Sequence, residues 1–107
     1  MERRKLQELM NFIIFGEDRW RVSVDLDANG YPAITYDAHG QTVFDARRTI
    51  RNIVAITRSP ISVNVIHGYH HGTAIKSMLE TEDFAGRVAE RFCPDGNPGQ
   101  TCMKIAA

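Results

Sequence analysis

The sequence predicts an α/β domain built on one small sheet, and three observations carry that expectation. Extended and helical patterns alternate along the chain, in the order strand, helix, strand, helix, then a final pair of strands. The 107 residues suffice for one domain and leave no room for a second. Two His-Gly pairs, His39-Gly40 and His67-Gly68, each fall where an extended run gives way to a helical pattern.

Taken in order, Leu6, Leu9, Met10, Ile13 and Ile14 share one face of an N-terminal helix that Gly16 stops. Between 20 and 26, Trp20, Val22, Val24 and Leu26 alternate with Arg21, Ser23 and Asp25, the period of a half-buried strand. Asp27-Ala28-Asn29-Gly30 is a turn, since Asn-Gly accepts positive φ. Residues 33–37 form a second strand. Thr42 then stands at an N-cap with Asp45 at the reciprocal capping-box position, and Val43, Ala46, Ile50, Ile53, Val54 and Thr57 form the apolar arc of a helix that Ser59-Pro60 ends. Residues 61–66 have the continuous apolar character of a buried strand. Ala74, Ile75, Met78 and Leu79 carry a short helix that ends near Thr81-Glu82. Residues 88–92 and 101–105 are the last strands, joined by the loop Cys93-Pro94-Asp95-Gly96-Asn97-Pro98-Gly99. Right-handed crossovers place the two helices most simply.

Hydrophobic residues make up 43% of the chain, enough for a core and against wholesale disorder. Formal net charge is zero, which argues against a surface coated in cations, yet ten of the thirteen basic residues are Arg, the side chain suited to forked phosphate contacts as well as to surface ion pairs. No apolar stretch approaches the ~20 residues of a membrane span, and Met1-Glu2-Arg3-Arg4-Lys5 leads into no signal-peptide core, so a soluble, cytoplasmic protein without membrane contact is expected. Cys93 and Cys102 lack metal-ligand spacing and are expected as free thiols, although a terminal hairpin can bring them face to face. Phe12 and Phe15 lie beyond the core stripe of the first helix. That helix either pairs with its copy in a homodimer or, as expected here, completes the core of a monomer.

In open α/β sheets ligands collect outside the carboxyl ends of the strands, where both His-Gly pairs lie, so His39 and His67 are expected to converge on one edge. Asp37 and His39 point to the same side of an extended segment. A carboxylate there fixes the imidazole tautomer for general acid or base work; alternatively the pair holds a divalent ion, or Asp37 simply bonds the following turn. In the 67–73 loop, Gly68 and Gly72 let backbone approach an anion, Lys76 adds a point charge, Tyr69 offers a ring for a base, and His70 and His71 add imidazoles. A structural zinc site is poorly supported, because no cysteine completes a tetrad, adjacent His70 and His71 need not point the same way, and the usual His-x-x-x-His spacing on a helix is absent. Arg47, Arg51 and Arg58 lie within about 40° of one another beside the apolar arc of the long helix, a solvated stripe or a track for a phosphate backbone.

Together these elements resemble the small MutS-related, or Smr, domain. Tyr36-Asp37-Ala38-His39-Gly40 is similar to that family's LDxHG signature, followed by a helix of the type Thr42-Val43-Phe44-Asp45-Ala46. Val63-Asn64-Val65-Ile66-His67-Gly68 resembles its second strand and the opening of HGxGxG, and Gly96-Asn97-Pro98-Gly99-Gln100-Thr101 its turn before the last strand. The likeness runs from Ala33 to the C-terminus, leaving 1–32 as a helix-and-strand extension to a 33–107 domain within one compact unit. Tyr36 stands where the family has Leu, and His70 where it has the middle glycine, so the loop is expected to follow a different path.

The resemblance implies a two-layer α/β sandwich, βαβαββ with a mixed sheet, similar to the C-terminal domain of bacterial translation initiation factor three. It also implies nucleic-acid binding, DNA or RNA, with nicking endonuclease activity. Asp37 and His39 would then position or deprotonate the attacking oxygen, assisted by a divalent ion such as Mg²⁺ or Mn²⁺. His67 would protonate the leaving oxygen, and N–H groups near Gly68 and Gly72, with Lys76, would stabilise the phosphorane; His70 and Tyr69 would line that cradle, and Arg47, Arg51 and Arg58 would track the backbone. The alternatives are a binding module without catalysis and a protein-assembly domain.

Overall fold

The computed structural model describes residues 3–13, 20–57, 59–68 and 73–107, with the side chains of residues 3, 9 and 11–13 left aside. Its elements are α1 (Arg3–Ile13), β1 (Val22–Leu26), β2 (Pro32–Asp37), α2 (Val43–Ile56), β3 (Ile61–Ile66), α3 (Thr73–Thr81), β4 (Val88–Phe92), a short 3-10 turn at Pro94–Gly96 and β5 (Gln100–Ile105). The strands form one five-stranded sheet in the order β1-β2-β3-β5-β4. β2 and β3 run parallel, as their joining helix requires, and the other three pairings are antiparallel.

Register aligns the buried side chains in one layer. Val24 pairs with Ile34, Ile34 with Val63, and Val63 with Met103, all four buried. The intervening residues Ala33, Thr35, Asp37, Ser62 and Asn64 are only half-buried. α1 packs on α2 and α2 on α3, and their buried residues Leu6, Met10, Ala46, Ile50, Ile53, Ile75 and Leu79 join the same core. Three helices against one face of a mixed sheet make a two-layer α/β sandwich. α1 and β1 share that core, with β1 as its edge strand. Among the described residues no helix is long and apolar enough to cross a membrane.

Two expectations are corrected. The first strand begins at Val22; Trp20 and Arg21 lie before it, and Trp20 and Leu26 are exposed while Val22 and Val24 are buried. β3 alternates between buried and half-buried side chains, since helices cover one of its faces only.

Local chemistry explains the remaining boundaries. The Asp27 carboxylate accepts from the Asn29 and Tyr31 N–H groups and closes the β1–β2 turn. Thr42 caps α2 by accepting from Asp45 N–H at 3.1 Å, while the Asp45 carboxylate pairs with Arg48. Two arginines close the helix C-termini, where the last carbonyls lack intrahelical donors. Arg87 donates to Val54 and Thr57 carbonyls at 2.6 and 3.0 Å, and Arg91 to those of Leu79 and Glu82 at 2.8 and 2.5 Å.

Candidate nucleic-acid interface

The parallel pair β2–β3 ends with Asp37 opposite Ile66, and the ladder continues one step as Ala38 N–H donates to the Ile66 carbonyl. Past these ends the two histidines occupy neighbouring strand termini but different environments. Asp37 lies on the half-buried row with Ile66, and Gly40, at φ +79°, turns the chain toward α2. His67 continues the buried row of Val63 and Val65.

The exposed half is an oriented Asp–His pair. His39 Nδ1 stands 2.5 Å from Asp37 Oδ1, and the same oxygen accepts the His39 N–H at 3.2 Å. A carboxylate accepts only, so Nδ1 carries a hydrogen, which in the neutral ring leaves the lone pair on Nε2, on a side chain that is 61% exposed. The backbone beneath is held by Arg21, whose Nη1 donates to the Asp37 carbonyl at 3.0 Å and the His39 carbonyl at 2.9 Å. The Arg21 guanidinium also lies 4.7 Å from the Trp20 ring centroid, and the Trp20 and His39 rings are 6.1 Å apart at 55°. Trp20 is 60% exposed. Reading 20–26 as one strand missed this neighbourhood; the adjacent aromatic and cation, Trp20-Arg21, were its only signal. Tyr36, where the family pattern has Leu, is buried and bonds Gln41 through its hydroxyl, fixing the loop from the other side.

The structure places His67 in the interior. The residue is 2% exposed, with Nδ1 3.0 Å from the Gly68 carbonyl and Nε2 2.9 Å from the Thr101 hydroxyl. Nδ1 donates and Nε2 accepts, so both ring nitrogens are matched inside the fold and neither is directed to a substrate. Gly68, at φ +84°, is likewise not an anion donor: its N–H, together with that of His67, is given to the Gly99 carbonyl at 3.0 Å, which extends the β3–β5 ladder. Tyr69, His70, His71 and Gly72 lie outside the described residues, as does Arg58. Lys76 is half-buried in the first turn of α3.

The arginine stripe of α2 is partly neutralised. Arg51 Nη2 donates to Glu82 Oε1 at 3.2 Å, and Arg47 Nε lies 3.4 Å from Glu82 Oε2, at ion-pair distance but without hydrogen-bond alignment. Beside them Phe44, 68% exposed, carries the Arg48 guanidinium 5.7 Å from its ring centroid. A shallow cavity of about 180 Å³ lies between Phe44, Arg47, Arg48, Arg51 and Asn52. Charge with an exposed ring is the pairing that single-stranded nucleic acid uses.

Among the described residues no group of three or more His, Cys, Asp or Glu side chains could hold a metal ion. Asp37 and His39 offer two ligands at most, and one carboxylate oxygen already faces Nδ1, so a Mg²⁺ or Mn²⁺ ion here would take its remaining ligands from water and a bound phosphate. Both cysteines are free; Cys93 is exposed and Cys102 buried, and burial pushes the Cys102 thiol up. The chain has no significant match among family models, curated proteins or solved structures.

Proposed function

We propose that the chain is an Smr-type nucleic-acid-binding domain that cleaves a phosphodiester of the bound strand at the Asp37–His39 pair. The observation that carries this is an imidazole tied by Nδ1 to a carboxylate at 2.5 Å on a side chain that is 61% exposed. In that arrangement Nε2 takes the proton of the 2′-oxygen as it attacks phosphorus, and the bond from phosphorus to the 5′-oxygen breaks to leave a 2′,3′-cyclic phosphate. The departing 5′-oxygen takes a proton from solvent water, and Asp37 holds the ring and stabilises the imidazolium until it returns its proton to solvent. General-base help of this kind contributes about 10²- to 10⁴-fold. A single base suits RNA better than DNA: the neighbouring 2′-hydroxyl is already positioned and needs only to lose its proton, whereas DNA hydrolysis must also recruit water. Arg48 and Phe44 on α2, Arg47 and Arg51 next to them, and Lys76 on α3 supply the contacts to the strand.

The test is cleavage of RNA and of supercoiled DNA by the wild type and His39→Ala, each in EDTA and with Mg²⁺ or Mn²⁺. RNA cutting in EDTA that is lost in His39→Ala supports the reading. Cutting that persists unchanged in both His39→Ala and Asp37→Ala removes it.

One observation favours a second reading, a binding module without catalysis: of the groups expected to react, His67 and the Gly68 N–H are engaged within the fold. Salt-dependent RNA binding with no cleavage under any of these conditions identifies that case.

A further inference from the structure

We infer that Trp20, together with His39, forms a stacking site for one unpaired base of a single-stranded nucleic acid. This rests on the nucleic-acid reading and adds to it the strand state and the residue that reads it. Trp20 leaves 60% of its surface in water, although indole is among the side chains that gain most from burial. It is also not a loosely attached ring. Arg21 covers it at 4.7 Å, and the same guanidinium is anchored by two hydrogen bonds to the Asp37 and His39 carbonyls, so the indole is fixed relative to the Asp–His turn. The His39 ring, 6.1 Å away and tilted by 55°, is in tilted contact with the indole and does not stack flat on it. A base stacks on the indole surface that these neighbours leave in water.

The geometry selects for single strands. Bases inside a duplex have both faces covered by their neighbours, so an indole can take only a base that has left the stack. A nucleotide stacked on Trp20 carries its own sugar and phosphate past His39, the ring in tilted contact with the indole on a side chain that is 61% exposed. Stacking and proton transfer then involve the same nucleotide, and cleavage occurs beside the stacked base.

Trp20 is the chain's single tryptophan, so intrinsic fluorescence reads this site alone. The full chain is titrated with an oligouridine RNA, an oligomer of equal length and charge with abasic positions, and a blunt RNA duplex, with anisotropy of labelled strands giving affinities for Trp20→Ala and Trp20→Phe. The expected result is saturable quenching by oligouridine alone and affinity about fivefold to hundredfold weaker in Trp20→Ala, largely kept in Trp20→Phe. Circular dichroism that matches the wild type keeps the alanine result interpretable, and Trp20→Phe serves where alanine unfolds. Oligouridine that binds equally to wild type and a folded Trp20→Ala, or duplex that quenches as strongly as single strand, overturns the stacking site and leaves nucleic-acid binding standing. RNA that binds in no arm defeats the nucleic-acid reading itself, and the stacking site with it.

Discussion

His67 and Thr101 are joined inside the domain by a 2.9 Å hydrogen bond between the imidazole Nε2 and the threonine hydroxyl, across a sequence separation of 34 residues. The bond pins the end of β3 to β5 just where the chain turns toward α3, and it converts a histidine that resembles a family's reactive residue into a buried strut. A motif defines which residue stands at a strand end. Burial and partners decide whether that residue can react.

Thr101→Val tests the strut. Valine keeps the volume but leaves Nε2 without a donor, and an unmatched buried polar atom costs about 1–3 kcal/mol. The midpoint of urea unfolding is expected to fall by that equivalent with an unchanged slope. RNA cleavage measured well below the melting transition should stay within about threefold of wild type. A folded Thr101→Val protein that has lost cleavage would return His67 to the reaction.

His39→Ala and Asp37→Asn test the exposed pair. Since the His39 side chain is largely in solvent, its removal should change stability by no more than about 0.5 kcal/mol. Single-turnover cleavage of an end-labelled RNA should fall about 10²- to 10⁴-fold. Asp37→Asn keeps an acceptor for the His39 ring and backbone but removes the negative charge, so its rate is expected between the two. Equal stability and equal rate in all three proteins would remove the pair from catalysis.

The order of elements was legible because its signals are local: alternation in β1 and β2, the Thr42 cap, the apolar arc of α2 and the Asn-Gly turn each depend on near neighbours. The Asp37–His39 pair was legible for the same reason, being two residues apart on one extended segment. What periodicity does not carry is the fate of groups whose partners come from elsewhere in the sheet. His67 meets Thr101 and Gly99 only once β5 lies beside β3, and Arg21, Arg87 and Arg91 serve backbone carbonyls, where the arginine bias had offered phosphate contacts or surface ion pairs. Trp20 fits the alternation of β1 on paper. In space the strand begins two residues later, and the ring stands beside His39.

Glu82→Gln tests the arginines of α2. The Glu82 carboxylate faces both Arg47 and Arg51, and partly exposed pairs of this kind stabilise by about 1 kcal/mol or less. The substitution should therefore leave the fold nearly as stable while freeing cationic charge for a polyanion. RNA affinity at low salt is expected to rise severalfold, and the slope of log affinity against log salt to steepen by roughly one further phosphate contact. Affinity and slope both unchanged would show that nucleic acid does not follow this helix.

The two thiols report the seating of β4 on β5. Cys102 pairs with Phe92 and is buried, and desolvation pushes its thiol up, a shift opposed by Lys104 and reinforced by Glu90, while Cys93 is exposed where β4 ends. Only the thiolate attacks a disulfide reagent, so in native protein at mildly alkaline pH one equivalent should react quickly and the second only as the hairpin opens. Folding holds the Cys102 proton more tightly than the unfolded chain does. The stabilisation is thus complete below the ordinary thiol range and declines as pH rises through it, because the unfolded thiol ionises first. Cys102→Ser should remove part of that alkaline decline and leave the Cys93 rate unchanged. If both thiols instead react together in native buffer, β4 is not closed over β5, and the pairing that buries Cys102 does not persist in solution.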